Sequence, residues 1–543
     1  MSLSATYAIG IDFGTESGRV LVLDLLEGRQ LAVAVVPYRN GVIDSALPGT
    51  AEQLPPDWAL QDPEDWKRVV LEGVPEAVAR AGIDPTKVVG LGVDFTSCTV
   101  LPVAEDATPL CCKGRWRGHK HAWPKLWKHH AAQGIADRLN DVAHRRAEGF
   151  IARYGGRISA EWTFPKLIEI WQQDRAVYDA MDSFMEATDW IVAWMTGVQV
   201  RQACTAGYKA LWSPDHGFPS AAYFAAAFPG IGDPAAKLGG SFVPLGSRAG
   251  TLRPELSERI GLTPTVAVAV GNVDSFVSVP GAGVEDPGTF VAVIGTSICD
   301  MVVHPDEVLL PGVTGVVKDG ILPGLYGYEA GQAAVGDMLA WFTRTLGAGR
   351  THADFEAEAA GLRAGATGLL AFDWWSGNRA ILADADLSGV VLGLTISSTA
   401  AEIYRALLES IAFGSRRIMD NFEEHGLRLE RIVACGGIAE RSPLMMQLLA
   451  DTSGRTVSVP AEGDVPARGS ALFGAVAAGV FPDIRAAVAA TRSAHLKHFE
   501  PEPRAASVYD AVYAVYRRLY ERLGRDDAEL LHRLKRIRLE ARG

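Results

Sequence analysis

The segment Tyr7–Asp24, YAIGIDFGTESGRVLVLD, brings an aspartate, a turn rich in Gly, Thr and Ser (Gly14–Gly18) and an arginine within a few residues of one another. Gly14 and Gly18 admit positive φ and let backbone N–H groups approach an anion, and Thr15 and Ser17 add hydroxyls. Arg19 supplies a permanently charged planar fork suited to phosphate oxygens. Asp12, ending the apolar run before the turn, suits a hydrated Mg²⁺. Asp12-Phe13-Gly14 is also the magnesium-holding tripeptide of protein kinases, but no glycine-rich loop precedes it and no HRD occurs in the chain, which removes that reading. Alone, a glycine turn between two strands is most often only a turn.

The pattern returns. PGTFVAVIGTSICDMVVHP (Pro287–Pro305) is again a β-rich run, a Gly-Thr-Ser turn at Gly295, Thr296 and Ser297, and a second β-rich run. Two such hairpins, one opening each half, point to a duplicated nucleotide fold with one phosphate loop per domain. A third stretch, Leu427–Gly454, reads as a strand ending in Gly436-Gly437 followed by a helix, where a flat ring can lie on bare backbone. The next, Val459–Phe481, carries Gly469, Ala471, Gly474, Ala475 and Ala478, a small-residue helix able to pack very close to its neighbours. The chain has no GxxxxGK[ST], GxGxxG or GxSxG, so Walker NTPase, Rossmann dehydrogenase and α/β-hydrolase readings fall away.

The elements that position these residues belong to a large soluble protein. The 543 residues exceed one ordinary core, and 48% hydrophobic with 21% charged residues is a globular composition. A formal net charge of −12 argues against nucleic-acid or anionic-membrane partners. The basic and aromatic segment Lys113–His130 is therefore expected to be a solvated helix-and-loop surface near a polar ligand, with His119, His121, His129 and His130 structural or exposed. Six cysteines without a CxxC pair fit a reduced, cytoplasmic protein, and neither a secretory leader nor a membrane-length apolar run is present. Ser507–Glu540 reads as one amphipathic helix whose apolar stripe packs on its own domain or, alternatively, makes a homodimer contact.

The ensemble IGIDFGTESGR, GVDFTSC, GNVDSF, VIGTS, ACGGIAE and ARGSALFGA resembles the FGGY family of carbohydrate kinases, in order and across nearly the whole chain. The resemblance implies an α/β fold of two actin-like, ribonuclease H-like ATPase domains, a duplicated sugar-kinase fold with the active site in the interdomain cleft. It places residues 1–285 in the first domain and 286–543 in the second. Segments Trp127–Gln133, Gly155–Leu167, Glu186–Gly197 and Leu325–Phe342 look like the branch that phosphorylates L-ribulose at O5 in arabinose catabolism. By that match Asp12 is the metal-associated aspartate, while Gly14, Thr15, Arg19, Gly295 and Thr296 contact phosphate and Gly436 with Gly437 the adenosine. Asp274 is the catalytic base, and Ser97, Lys209, Asp274 and Glu329 hold the sugar. ATP and Mg²⁺ are the implied cofactors, and a ketopentose and ATP the implied partners. Glu16 and Ser442 depart from the family pattern.

A sugar hydroxyl is a poor nucleophile near neutral pH, and phosphoryl transfer depends on positioning, charge neutralisation and a carboxylate that takes the proton. Asp274 follows the apolar run Val266–Val270 and suits that duty; read without the family, it is first of all an N-cap for the segment from Ser275. Three classes stay open: a ketopentose kinase, with D-ribulokinase or xylulokinase as neighbouring alternatives; an actin- or Hsp70-like ATPase; and a non-catalytic sugar sensor.

Overall fold

The computed structural model describes residues 6–50, 52–492 and 496–542. The alternating apolar pattern of the opening segment folds as expected: β1 (Tyr7–Phe13) and β2 (Ser17–Asp24) form an antiparallel hairpin, extended by β3 (Gln30–Pro37). On its other side β1 runs parallel to β4 (Val88–Phe95), which is followed in the sheet by Ala267–Ala269 and Arg248–Thr251. The short strand Asn272–Val273 pairs with the carboxyl end of β4. A second sheet repeats the plan. Hairpin strands Thr289–Ile294 and Ile298–His304 are antiparallel, extended by Tyr326–Gln332 and Gly315–Lys318, and Thr289–Ile294 runs parallel to Arg431–Cys435. Both glycine turns therefore lie at the carboxyl ends of the central parallel strands, where open α/β sheets bind ligands.

One helix from the second half of the chain packs on the first sheet. Val465–Ala477 lies against β1, β4 and the helix Asp274–Gly281. Its approach is possible only because glycines face it: a Cβ on Gly10 would stand 1.7 Å from the Ala467 carbonyl oxygen, and one on Gly92 2.0 Å from that of Ser470. Gly474 offers the reciprocal space, since a Cβ there would come within 2.7 Å of the β4 backbone at Leu91. Gly10 and Gly92 are paired in register and share a face with Asp12 and Asp94, so the helix covers the face that carries those carboxylates. The opposite face packs Trp66, Val69 and Val70 against Phe13 and Phe95, whose rings stack at 4.3 Å.

Two expectations need correction. The segment Lys113–His130 is a solvated surface only in part: Lys113–Lys120 is exposed or half-buried, but the run of short 3₁₀ turns then buries His121, Lys125 and His129. Lys125 Nζ and His129 Nε2 each lie 2.9 Å from the Glu169 carboxylate, and that buried partner draws the basic residues inward. The C-terminal stretch is two helices, Pro503–Glu521 and Ala528–Arg542, separated by a π turn over Arg522–Asp526. Within that turn Gly524 lies against the Leu382 side chain. Tyr509, Tyr513, Tyr516 and Tyr520 bury on their own domain, whereas Leu530, Leu534 and Ile537 beyond the break are exposed. All six cysteines are free, and among the described residues no helix is long and apolar enough to cross a membrane.

The close helix-on-sheet approach is testable by a pair of substitutions. Gly474→Val should lower stability by about 3 kcal/mol or more, because the added atoms meet backbone that has nowhere to move. Gly134→Ala, whose Cβ meets nothing within 4 Å, should leave stability unchanged or raise it slightly. A Gly474→Val protein melting with the wild type would refute the packing account.

Candidate active site

The sheet register sets four polar residues in one row. Asp12 on β1 is opposite Arg19 on β2 and beside Asp94 on β4, and Asp94 is beside Asn272. Two residues on, Asp274 begins its helix, with its carboxylate accepting a 2.7 Å hydrogen bond from the Ser275 N–H. Asp274 is not the N-cap, a position Val273 takes, but the first residue of the helix, and the neighbouring Asp12 charge acts on it. Arg19 Nη1 lies 3.1 Å from Asp12 Oδ2, and its Nε lies 3.5 Å from Asp464. Ser470, on the small-residue helix, donates a 2.6 Å hydrogen bond to Asp94 Oδ2, while Asp94 Oδ1 is buried without a partner. Burial raises the pKa of all three acids. In Asp94 the neighbouring Asp12 charge pushes further the same way, well above the usual carboxylate range. Asp274 is pushed up to about 7, by burial first and by Asp12 second.

The two glycine turns close alike. Gly14 N–H donates to the Ser17 carbonyl at 3.0 Å, and Gly295 N–H to the Ser297 carbonyl at 2.9 Å. Thr15 accepts from the Trp127 indole through its hydroxyl (3.1 Å) and from the Gln61 amide through its carbonyl (2.8 Å). Thr296 is exposed, and its carbonyl receives the Val335 and Gly336 N–H groups that open helix Gly336–Leu346. Gly436 takes φ 91° directly after strand Arg431–Cys435, and a Cβ there would press within 2.8 Å of the Ile294 carbonyl. This positive φ is what glycine permits at the strand-to-helix corner. Ser442 is turned to other work: its hydroxyl caps helix Pro443–Ser453 and donates to Glu356 at 2.9 Å.

Lys209, the last residue of helix Ala203–Lys209, reaches Glu329 on strand Tyr326–Gln332 at 2.6 Å, an ion pair that joins the two halves of the chain. Both side chains are nearly buried. Burial works against the lysine charge, but Glu329 more than offsets it, so the Lys209 pKa is raised. The charges of this pair act on Asp274, which places the three in one neighbourhood. Ser97 sits in the loop after β4 beside Cys98, whose carbonyl accepts from the buried Lys166 at 2.7 Å. Next to this group opens a cleft of about 540 Å³ with walls from both halves, among them Trp127, His130, Glu161, Trp162, Asp337 and Arg379. Asp274, Lys209 and Glu329 are not in its lining; the Trp162 ring, 5.8 Å from Lys209 Nζ, connects them to it.

The structure therefore brings together Asp12, Arg19, Lys209, Asp274 and Glu329, with Gly14 and Thr15 at the carboxyl end of β1. Gly295, Thr296, Gly436 and Gly437 gather at the corresponding end of the second sheet. Three neighbours escaped the sequence reading. Asp94 had a signal, for Val-Asp-Phe at 93–95 echoes Ile-Asp-Phe at 11–13. Glu161, whose burial pushes its pKa up but whose 2.9 Å bond to His130 and nearby cations bring it down to about 2, and Arg379 had none, because each depends on a loop brought in from a distance.

The chain matches the FGGY family of carbohydrate kinases in two parts, the N-terminal domain over residues 7–281 and the C-terminal domain over 290–478. It is 45% identical to the ribulokinase of Anoxybacillus flavithermus, over 99% of this chain and 98% of the relative, and 42% identical to that of Mycolicibacterium smegmatis, over 98% and 97%. Among solved structures it resembles the xylulose kinase of Rhodospirillum rubrum (TM-score 0.77, 25% identity, 97% of this chain and 100% of that one). The glycerol kinase of Plasmodium falciparum shares the fold (TM-score 0.75, 16% identity, 94% and 98%). Paired turns on duplicated sheets, a shared cleft and full-length identity at this level lead to one conclusion: the chain belongs to the FGGY family of carbohydrate kinases.

Proposed function

We propose that the protein transfers the γ-phosphoryl group of ATP to O5 of L-ribulose. The observation that carries this reading is the Lys209–Glu329 pair spanning the two halves, with Asp274 in its field and an open cleft beside it. An ATPase without an acceptor has no use for a buried cation, a carboxylate and a high-pKa acid set around one point, and a sugar sensor has no use for a poised base. The ribulokinases that the chain resembles direct the choice toward ribulose over the neighbouring D-ribulokinase and xylulokinase readings.

In this account Ser97, Lys209 and Glu329 hold the sugar hydroxyls and turn O5 toward Asp274. Asp274 accepts the O5 proton as the sugar oxygen bonds to the γ-phosphorus and the bond to the ADP oxygen breaks. Its raised pKa makes it a stronger base once ionised, at the cost of being half protonated near neutrality in the free protein. The turns at Gly14-Thr15 and Gly295-Thr296, their glycine N–H groups spent in closing the turns, take the phosphates together with Arg19, and Gly436-Gly437 leaves bare backbone for the adenosine. The orphaned Asp94 oxygen and the excess of carboxylates over Arg19 suit a cation, and two aspartates alone suit Mg²⁺ held partly through water. Bound there, Mg²⁺ would offset phosphate charge, with Asp12 and Asp94 holding it. The lobes, divided near residue 285, close over the sugar and keep water from competing as acceptor.

Asp274→Asn tests the base. Its kcat should fall by about 10² to 10⁴ with the fold intact. Stability should move the other way: the folded pKa of Asp274 lies above its ordinary value, so its contribution is present at low pH and lost as pH rises through about 7. The variant should therefore be more stable than wild type by about 1–3 kcal/mol at pH ~8, with the gain fading toward pH ~4. A variant that keeps most of its turnover, or is less stable at high pH, would contradict the assignment.

Sugar choice is tested by kcat/KM for L-ribulose, D-ribulose, D-xylulose, L-xylulose and glycerol. L-Ribulose should lead and glycerol trail, since glycerol offers too few hydroxyls to satisfy the buried polar groups. Glu329→Ala should raise the sugar KM by about tenfold or more and leave the ATP KM within about twofold. Preference for D-xylulose or glycerol would reassign the acceptor, and turnover indifferent to sugar would favour the ATPase reading.

A further inference from the structure

The second lobe contains a closed group of oxygen atoms that phosphoryl transfer does not use. Asp300 lies on strand Ile298–His304, and on the adjacent strand Gln332 is opposite Ile298. Residues two apart share a strand face, so Asp300 and Gln332 project to the same side. Asp373 follows strand Leu370–Phe372. The three are 0%, 2% and 3% exposed for Asp300, Gln332 and Asp373. Helix Ala400–Glu424 crosses over them and presents Gly414, where a Cβ would stand 2.6 Å from Gln332 Oε1 and 3.4 Å from Asp373 Oδ1. The glutamine is fixed in orientation, because its amide nitrogen donates to the Ile411 carbonyl (3.2 Å) and the Ser415 hydroxyl (2.8 Å). Its carbonyl oxygen is thereby left pointing at the aspartates' side.

Four acceptor atoms here are buried and unpartnered: both carboxylate oxygens of Asp300, Asp373 Oδ1 and Gln332 Oε1. The nearby Tyr516 hydroxyl and Trp374 indole N–H are unpartnered too and bond to neither acid. Among the described residues no basic side chain pairs with Asp300 or Asp373, and burial together with their mutual repulsion raises the Asp300 pKa. Buried acceptors facing one another without a donor are costly, and like-charged ones more so. We propose that Asp300, Asp373 and Gln332 bind a hard divalent cation, of the Mg²⁺ or Ca²⁺ class, as a structural site separate from the phosphate site. The donor set is all oxygen, two carboxylates and an amide, which suits these ions over thiolate- or imidazole-seeking metals. No three His, Cys, Asp or Glu side chains converge as a metal cage among the described residues, so the amide oxygen is an essential member. The ion would tie three pieces of the catalytic lobe together. Asp300 is three residues past Ser297 of the second glycine turn, and Gln332 and Asp373 lead into the cleft-lining residues Ala333 and Ser376.

Elemental analysis of nucleotide-free protein passed over a chelating resin should find about one equivalent of Mg²⁺ or Ca²⁺, and Asp12→Asn should retain it. The double variant Asp300→Asn/Asp373→Asn should lose it with an unchanged far-UV circular dichroism spectrum. Prolonged chelator treatment should lower the wild-type melting midpoint by about 5 °C or more, and Mg²⁺ or Ca²⁺ should restore it. Wild-type protein free of stoichiometric metal, with a chelator-insensitive midpoint, would overturn the proposal and leave a protonated acid pair. Metal lost from Asp12→Asn but kept by the double variant would overturn it as well, by moving the ion to the phosphate site. Should the double variant fail to fold, the metal content of the wild type and of Asp12→Asn decides.

Discussion

The candidate site depends on the gathering of Asp12, Asp94 and Asp274 in one neighbourhood, with Arg19 bonded to Asp12. Carboxylates in bulk water would ionise independently near their ordinary values. Here desolvation comes first and raises all three; repulsion by Asp12 comes second in Asp94 and Asp274, while in Asp12 the Arg19 charge pulls the other way without cancelling the rise. Asp274 is thereby pushed up to about 7. The cause is geometric, since the sheet register puts the acids side by side and the Val465–Ala477 helix closes over them.

That closure explains why the small residues cluster where they do. A helix can seat on two strands at backbone distance only where Gly10, Gly92 and Gly474 remove the side chains between. Ser470 then reaches Asp94 directly, which leaves one Asp94 oxygen bonded and the other open. The same helix comes from the second half of the chain and packs on the first, so the carboxylate site and the relation between halves share one set of contacts. Lys209 and Glu329 make a second, polar link across the division. Removing one member of a buried pair leaves the other charged and unsolvated, so the two charges work as a unit and present a defined electrostatic frame to whatever enters the cleft.

Much of this was legible in the residues. Both hairpins, their turns and the Gly436-Gly437 corner declared themselves through strand periodicity broken by glycine, which is local information. The small-residue helix announced close packing, though not against what. Family resemblance rather than pattern singled out Lys209, Asp274 and Glu329, because their meeting depends on long-range topology. Asp94 was spelled by a repeated Asp-Phe yet passed over, for only sheet register reveals it as the neighbour of Asp12. The departures have physical causes too: the burial of Lys125 is invisible in sequence because nothing there links it to Glu169, its partner at 2.9 Å. The long C-terminal helix was drawn unbroken because the contact of Gly524 with Leu382 is tertiary.

The most direct measurement is the pH dependence of kcat/KM for L-ribulose at saturating ATP and Mg²⁺, which reports the essential ionisations of the sugar-free enzyme. An essential base whose folded pKa is raised is active above that pKa and silenced below it, so the rate should fall tenfold per unit as pH drops below the Asp274 value of about 7. The residual activity of Asp274→Asn should lack this limb. A wild-type profile flat from about pH 5.5 to 8, or an acid limb that survives in Asp274→Asn, would contradict the account.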